Sequence, residues 1–341
     1  MTIRIAVDAM GGDHAPRNIV EGAVQAVREN HCEVLLVGKE SEILSELARL
    51  SATTERGISV VHASQVVAMD ESVALALRQK KDSSIRVGAR MVKEGRARAL
   101  VSAGNTGVVM ATSKILLGLV PGVDRPAVAV TAPAKGGKVV ILDAGANMEC
   151  KPHHFRQFAV MGYLYAQSVL GIKNPRVALL SIGQEDSKGT NVTREVFKVL
   201  RETQINFVGN IEGNDVYSGR VDVVVTDGFT GNVTLKVTES MVDALNHAVV
   251  RVIRGSYRAR LGYLLMKPAI QQLRKSLDYA EYGGAPLLGA RECVLICHGR
   301  SSPKAIKNAV RVAHEFVERR MSETIAQEIR SLTEAEIRLA G

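Results

Sequence analysis

The chain has 341 residues, of which 46% are hydrophobic and 23% charged, and its net charge is +9. This composition is typical of a globular protein with a sizeable core, built as one large α/β domain over residues 1–341 or as two interleaved subdomains. Apolar stretches are shorter than the roughly 20 residues of a membrane span, and the N-terminus starts a strand instead of a signal peptide, which predicts a cytoplasmic protein.

The excess of positive charge favours anionic partners such as phosphate, an acidic protein or an anionic lipid surface. Aromatic residues make up only 4% of the chain and Trp is absent. Stacking platforms for single-stranded nucleic acid are therefore scarce, and we do not expect nucleic acid as a partner. The four cysteines show neither zinc nor Cys-x-x-Cys spacing and are interpreted as reduced structural thiols.

Short β-branched runs alternate with helix-length segments along most of the chain. The runs predicted as strands are 4–10, 33–38, 58–64, 99–104, 176–183, 221–228 and 292–299. Several of them, such as Val177 to Ile182, are apolar almost throughout, which is typical of strands buried on both faces of a parallel sheet. The pattern predicts a three-layer α/β/α sandwich with a mostly parallel sheet.

Residues 127–132 and 138–143 break this alternation, because two strand-like runs are joined by Pro-Ala-Lys-Gly-Gly. A short glycine-containing connection between two such runs predicts a β-hairpin excursion from the parallel order.

Residues 242–277 are predicted to form a basic amphipathic helical protrusion, since no acidic residue follows Asp243 within this range. The run from Leu261 to Met266 is predicted as an apolar knob between two helical segments. An apolar surface beside basic side chains favours an anionic membrane surface, with a dimer interface as the alternative. The residues expected to contact the membrane are Leu261, Tyr263, Leu264, Leu265, Arg254 and Arg258.

Six glycine-rich polar loops lie at or directly after strand-like runs. In a parallel sheet, ligands bind at the carboxyl ends of the strands, where free backbone N–H groups point at the ligand. Each loop alone is equally well explained as a tight turn or a helix cap, but together they indicate one polar cleft suited to an anion and a polarised carbonyl. The expected substrate-binding residues are Asp8, Gly11, Gly12, His14, Asn105, Thr106, Asp143, Asn147, Asn210, Asp227 and Thr230.

The chain lacks a Gly-x-Gly-x-x-Gly fingerprint after a strand, a P-loop and a Gly-x-Ser-x-Gly elbow. We therefore expect neither NAD nor ATP, and no cofactor. Asp8, Asp143 and Asp227 have the chemistry of magnesium ligands, but carboxylates at strand ends more often hold loops, so no metal is predicted. His14 either contacts a phosphate or caps the helix at Pro16.

Two more features argue against covalent catalysis and a histidine site. Cys150 follows a loop that offers no evident base and is interpreted as a core thiol. The adjacent His153 and His154 would face different directions on a helix, which favours the protein surface.

Direct attack by phosphate on a thioester needs no enzyme nucleophile, only orientation, charge neutralisation and a donor to the developing oxyanion. Lys188 fits the neutralising role, unless it is a solvated loop lysine. Asn232 fits the donor role, with a helix N-cap as the alternative.

These loops also carry a family resemblance. The matching strings, between Ile5 and Gly289, are VDAMGGDHAP, LVSAGNTG, ILDAGAN, GQEDSKGT, FVGNIEGND, DVVVTDGFTGNVTLK and EYGGAPLLG. With them the sequence closely resembles the acyl-ACP:phosphate acyltransferase (PlsX) family.

The resemblance implies a fold like those of isocitrate and isopropylmalate dehydrogenases and of phosphotransacetylase. It implies a homodimer that makes acyl phosphate from inorganic phosphate and the fatty acyl thioester of acyl carrier protein, for phospholipid synthesis. The family's catalytic Lys and Asn fall on Lys188 and Asn232. It also implies peripheral association with the inner face of the membrane, beside the membrane glycerol-3-phosphate acyltransferase that consumes the product, with residues 242–277 as the matching region.

The sequence departs from the family pattern at Arg291, Glu292, Cys293 and Arg300, where we expect a small or apolar run and the string HGSS. These changes affect local contacts near His298 and not the reaction. Two alternative functions stay open, a phosphotransacetylase-like enzyme that uses acyl-CoA and a non-catalytic membrane or carrier-protein scaffold.

Overall fold

Continuous runs of Val, Ile, Leu and Ala form the central strands because parallel strands are covered by helices on both faces. In β1 (Arg4–Asp8), for example, Ile5 and Val7 pack with one layer of helices and Ala6 with another, and all three are buried. The computed structural model describes residues 3–30, 32–277 and 279–340.

The described strands form two sheets. The seven-stranded sheet has the order β3 (Ile58–His62), β2 (Glu33–Gly38), β1, β4 (Ala99–Ser102), β12 (Cys293–Ile296), β11 (Ala285–Leu288) and β5 (Ala127–Val128). The five-stranded sheet has the order β6 (Val130–Ala134), β7 (Gly137–Leu142), β10 (Val223–Val225), β8 (Val177–Leu180) and β9 (Phe207–Ile211). Pairing is parallel except at β11, which is antiparallel to both neighbours, and between β6 and β7.

Helices follow most of the strands and cover both sheets. They are α1 (Arg17–Asn30), α2 (Glu40–Arg49), α3 (Val73–Gln79), α4 (Ser84–Lys93), α5 (Thr106–Leu116), α6 (Pro152–Ser168), α7 (Asn191–Arg201), α8 (Gly228–Gly255), α9 (Tyr257–Leu277), α10 (Pro303–Glu318) and α11 (Met321–Ala340). In addition, 3-10 turns cover Gly213–Asp215 and Tyr279–Glu281.

The two sheets share one hydrophobic cluster and are joined by a short covalent step from β5 to β6. Val7 of the first sheet and Leu142 of the second belong to this cluster, together with Phe158 of α6. The backbone N–H of Ala144 donates to Val128 O at 2.9 Å, which ties the end of β7 to β5. The ends of β7 and β5 are therefore held together by backbone contact.

The predicted layered, mostly parallel architecture is confirmed, and so is the antiparallel hairpin of β6 and β7. β7 also pairs in parallel with β10, so the hairpin is an integral edge of the second sheet. Asn210, expected in a loop, lies inside β9.

Residues 242–277 lie in α8 and α9, and the break between these two helices differs from the expectation. α8 ends at Gly255 and Ser256 is extended, so the break between the helices falls there. The predicted knob from Leu261 to Met266 therefore lies within α9 and not between two helical segments. In the described part of the chain, no helix is long and apolar enough to span a bilayer.

Candidate active site

Asp8 holds together the loops at the carboxyl edge of the first sheet. Its Oδ2 accepts a hydrogen bond from Ser102 Oγ at 2.7 Å, and its Oδ1 accepts one from the backbone N–H of Met10 at 3.1 Å. Burial raises the pKa of the Asp8 carboxyl, against the effect of these hydrogen bonds. Asp8 therefore braces the loops after β1 and β4, and its contact with substrate stays a prediction.

Gly11 and Gly12 allow three loops to meet at this edge. Gly12 has a φ of 98°, and a β-carbon there would lie 2.8 Å from Gly299 O. A β-carbon at Gly11 would overlap Asp8 Oδ2 and the backbone of Gly104. The glycines are explained by this close approach, which leaves their backbone N–H groups at the edge of the sheet.

The remaining predicted residues of this edge lie around the start of α5 and ahead of α1. Asn105 Oδ1 caps α5 by accepting from Val108 N at 3.1 Å, and its Nδ2 donates to two backbone carbonyls. Thr106 begins α5 and is exposed, and His14 is exposed four residues after Met10. His14 O accepts from Asn18 N, while α1 begins at Arg17.

Asp143 is the corresponding brace in the second sheet. Its Oδ1 accepts the backbone N–H groups of Val128 and Ala146, both at 3.0 Å. Its Oδ2 accepts Asn147 N at 2.7 Å and Asn147 Nδ2 at 2.8 Å. Burial raises the pKa of the Asp143 carboxyl and these donors oppose the rise. The carboxylate is therefore occupied by protein donors.

The loop after β10 begins α8 directly against this brace. Asp227 is the N-cap of α8, where its carboxylate accepts Thr230 N at 2.8 Å and Thr230 Oγ1 at 2.9 Å. A β-carbon at Gly231 would overlap Asp143 O, so only glycine lets the helix pack this closely. The alternative in which Asn232 caps the helix is wrong, because Asp227 does so.

Asn232 lies in the second turn of α8 and is half-buried. Its side chain packs against the loop after β7, since a β-carbon at Gly145 would lie 3.6 Å from Asn232 Cβ. Within the described structure its amide makes no hydrogen bond to the protein. It is therefore an uncommitted donor beside the loop that holds Asp143 and Asn147.

Lys188 is exposed in the loop after β8, the strand next to β10. Its stem lies over Gly183, and its backbone N–H donates to Glu185 O at 3.0 Å. Asn210 Nδ2, from β9, donates to the same carbonyl at 3.1 Å and so supports the loop. Among the described residues, no hydrogen bond or ion pair joins Lys188 to Asn232.

Sequence reasoning missed a contact between α8, which follows the second sheet, and the loop after β12 of the first sheet. Lys236, one helical turn after Asn232, places its Nζ 3.4 Å from Nε2 of His298, which follows β12. The carboxyl edges of the two sheets therefore meet at α8. The spacing of four residues between Asn232 and Lys236 was a usable signal, since both fall on one helix face.

Comparisons with known proteins identify the family of the chain. Residues 3–324 match the family model described as "Fatty acid synthesis protein". A protein named phosphate acyltransferase from Heliobacterium modesticaldum is 52% identical over 96% of this chain and 98% of the relative. The chain belongs to this family. Another phosphate acyltransferase, from Pelotomaculum thermopropionicum, is 49% identical over 99% of the chain and 98% of the relative. The protein is accordingly an acyltransferase.

Solved structures similar to this acyltransferase confirm the predicted fold class. A phosphotransacetylase from Streptococcus pyogenes covers 93% of the chain and 94% of its own length, with a TM-score of 0.65 and 16% identity. A branched-chain phosphotransacylase from Enterococcus faecalis covers 92% and 98%, with a TM-score of 0.58 and 15% identity. At these identities the likeness concerns the fold alone.

Cys150 lies beside the site of the acyltransferase but is a poor nucleophile. It is half-buried, and burial together with Asp143 and Asp227 raises the pKa of its thiol to about 11. The thiolate is the reactive form, so the group is unreactive at neutral pH. The interpretation of Cys150 as a core thiol agrees with this position.

The histidine pair splits between the surface and the interior. His153 is exposed, as predicted, and its Nε2 lies 3.2 Å from Asp124 Oδ2, whereas His154 is buried, contrary to the prediction. Asp124, His153 and His154 place three ligand atoms within 4.8 Å of one another. His154 Nδ1 accepts Lys151 N at 3.0 Å as part of the helix cap, which fixes the hydrogen on Nε2 and opposes metal ligation there.

Two of the departures noted near His298 lie in different places. Arg300 contributes its backbone N–H, which donates to His298 Nδ1 at 3.1 Å, and its side chain is exposed. Arg291 lies against Gly118, away from the carboxyl edge.

Proposed function

We propose that this acyltransferase moves a fatty acyl group from the thioester of an acyl carrier protein to inorganic phosphate. The products are an acyl phosphate, for phospholipid synthesis, and the free carrier. The observation that carries the proposal is the uncommitted amide of Asn232, held against Gly145 at the meeting point of two amide-rich sheet edges.

The transfer to phosphate requires hydrogen-bond donors from the protein but no protein nucleophile, because phosphate itself is the nucleophile. An oxygen of hydrogen phosphate attacks the thioester carbon, the carbon–sulfur bond breaks, and the phosphate proton ends on the leaving sulfur. Negative charge collects on the carbonyl oxygen in between, where an aimed donor stabilises it. Asn232 supplies that donor, and Lys188 neutralises the incoming phosphate from its exposed loop.

The choice of acyl carrier protein as the acyl donor rests on charge and exposure. The chain has a net charge of +9, which favours an acidic protein partner. Arg254 and Arg258 are exposed on the protrusion of α8 and α9. A basic surface accelerates encounter with an acidic carrier. The second candidate is phosphate transfer from acyl-CoA, which the fold shared with proteins named phosphotransacetylase and phosphotransacylase favours.

We also infer that the protein works at the inner face of the cell membrane as a homodimer. On α9, the exposed fractions of Leu261, Leu264 and Leu265 are 62%, 63% and 79%, whereas Tyr263 is half-buried. Exposed apolar side chains beside Arg254 and Arg258 suit an anionic bilayer. There the product passes to a membrane glycerol-3-phosphate acyltransferase.

The test compares acyl carrier protein and coenzyme A thioesters of one long acyl chain, with and without inorganic phosphate. We expect phosphate-dependent thiol release that is faster with the carrier protein. Faster release from acyl-CoA would favour the phosphotransacetylase-like function. If neither thioester releases thiol in a phosphate-dependent way, the proposal is overturned and a non-catalytic scaffold role remains.

A further inference from the structure

A cavity of about 300 Å³ lies at the amino edge of the second sheet. Its lining comes from the turn between β6 and β7, the loop after α6, and the residues that lead into β8 and β10. Because β7, β10 and β8 run parallel, these segments meet at the same end of the strands. The candidate active site lies at the opposite, carboxyl edge, so the length of the strands separates the cavity from Asn232 and Lys188.

Contacts within the protein hold the walls of the cavity in place. Lys135 N donates to Tyr217 O at 3.0 Å, and a β-carbon at Gly219 would overlap Lys135 O. Only glycine therefore lets the hairpin turn approach this segment so closely. On the other wall, Arg176 Nε and Nη2 donate to the two carboxylate oxygens of Asp222, both at 2.9 Å. The cavity is thus preformed without a ligand.

The charges around the cavity leave its rim positive. The one carboxylate of the described lining, Asp222, is paired with Arg176, so that this pair is neutral. Lys135 and Lys138 flank the glycines of the hairpin turn, and both are exposed. Lys138 Nζ lies 5.5 Å from the centroid of the Tyr282 ring. Neither ammonium group has a carboxylate partner in the described part of the chain, so both are available to an anion.

The floor of the cavity is apolar. Val221 is buried, and the half-buried Leu170 and Ile172 pack against the hydrophobic cluster that the two sheets share. At roughly 30 Å³ for a water-sized or methylene-sized group, the cavity holds about ten such groups. An apolar floor under a cationic rim suits a molecule with a short hydrocarbon body and one anionic end, because the charged head can stay at the rim.

We propose that this cavity binds a small amphiphilic anion, with about eight carbons against Leu170, Ile172 and Val221 and an anionic head between Lys135 and Lys138. A carboxylate and a phosphate share the chemistry that ammonium groups recognise, and titration with each head group separates the two. The proposal goes beyond the acyl transfer and does not depend on it, because the two sites lie at opposite edges of the sheet.

Isothermal titration calorimetry of the full chain tests the ligand chemistry. The probes are octanoate and octyl phosphate, with butyrate and butyl phosphate as their four-carbon counterparts. We expect an eight-carbon anion to bind on the order of ten-fold to one-hundred-fold more tightly than its four-carbon counterpart, because each further methylene group leaves water for the apolar floor. The tighter of the two eight-carbon probes identifies the head group.

Single substitutions of lysine locate the binding. Lys135→Met and Lys138→Met should each weaken binding of the eight-carbon probe about three-fold to ten-fold, the range for an exposed charge-assisted hydrogen bond. Lys93→Met, at an exposed lysine near the end of α4, is the matched control. Lys188→Met tests the candidate active site as the alternative location, and we expect it to leave the affinity unchanged.

The proposal is overturned if neither eight-carbon probe binds, or if four-carbon and eight-carbon probes bind equally well. Equal weakening by Lys93→Met and by the two rim variants would contradict it too, since the attraction would then be a general effect of net charge. Binding that is lost in Lys188→Met and kept in Lys135→Met and Lys138→Met would place the ligand in the candidate active site. A wild-type protein without phosphate-dependent thiol release would overturn the proposed function alone, because calorimetry tests the cavity by itself.

Discussion

At the scale of single residues, the candidate site divides into side chains whose polar atoms are used by the protein and side chains whose polar atoms are not. Asp8, Asp143 and Asn105 accept from loop and helix N–H groups. Asn232 and Lys188 make no side-chain hydrogen bond within the described structure. The second group is available to a reacting substrate without the loss of a hydrogen bond within the protein.

The first prediction concerns this second group. Asn232→Ala should lower kcat on the order of 10²-fold to 10³-fold, the usual loss for one oxyanion donor. Lys188→Met should also lower activity severely while the melting temperature stays unchanged, because the side chain is exposed. A near-normal kcat with only a raised KM would mean that the residue binds the ground state and that its assigned role is wrong.

The second prediction concerns the brace at Asp143. Asp143→Asn should destabilise the fold by about 1 to 3 kcal/mol for each donor left unpaired, because an amide nitrogen would face backbone N–H groups. Thermal unfolding measures the loss. Asp70→Asn, an exposed carboxylate, is the control and should unfold like the wild type. Equal melting temperatures in the two variants would show that Asp143 does not hold the loop.

At the scale of secondary-structure elements, the strands and the hairpin were predictable because buried apolar runs and a glycine turn are local signals. The strand β11 was missed because it is four residues long and follows a glycine pair. The break at Ser256 lacked a proline to mark it, while Pro268 lies inside α9 without ending it. Lys236 and His298 are 62 residues apart, so their contact needs the tertiary fold.

The third prediction belongs to the protrusion of α8 and α9. Replacing Leu264 and Leu265 with Glu should abolish binding to anionic vesicles and spare activity on soluble substrates, because both side chains are largely exposed. Each Lys or Arg near the surface adds roughly 1 kcal/mol to binding. Ile115→Glu, an exposed apolar residue of α5, is the control.

Size-exclusion chromatography of the same variant tests the alternative for the protrusion. A change to monomers together with loss of vesicle binding would identify the apolar stripe as a dimer interface. Retained vesicle binding would contradict the prediction that Leu264 and Leu265 of the protrusion contact the membrane.

At the scale of the whole molecule, the carboxyl edges of the two sheets meet at α8. Backbone N–H groups and cationic side chains lie at this candidate site. The fourth prediction follows, that turnover continues in excess chelator and without added nucleotide. His153 lies at the start of α6 beside Asp124, and His154 Nδ1 accepts a backbone N–H in the helix cap, so we expect no metal requirement there. Activity abolished by chelator and restored by magnesium would contradict this.

Rapid-quench analysis of one turnover on a long-chain acyl carrier protein tests the direct transfer most sharply. With phosphate present, hydroxylamine-trapped acyl phosphate should appear in step with free carrier thiol, in equal amounts. Without phosphate, no thiol should be released, since Cys150 has a pKa raised to about 11 and offers no acyl-enzyme. A burst of one thiol per protein molecule in the absence of phosphate would contradict direct attack by phosphate.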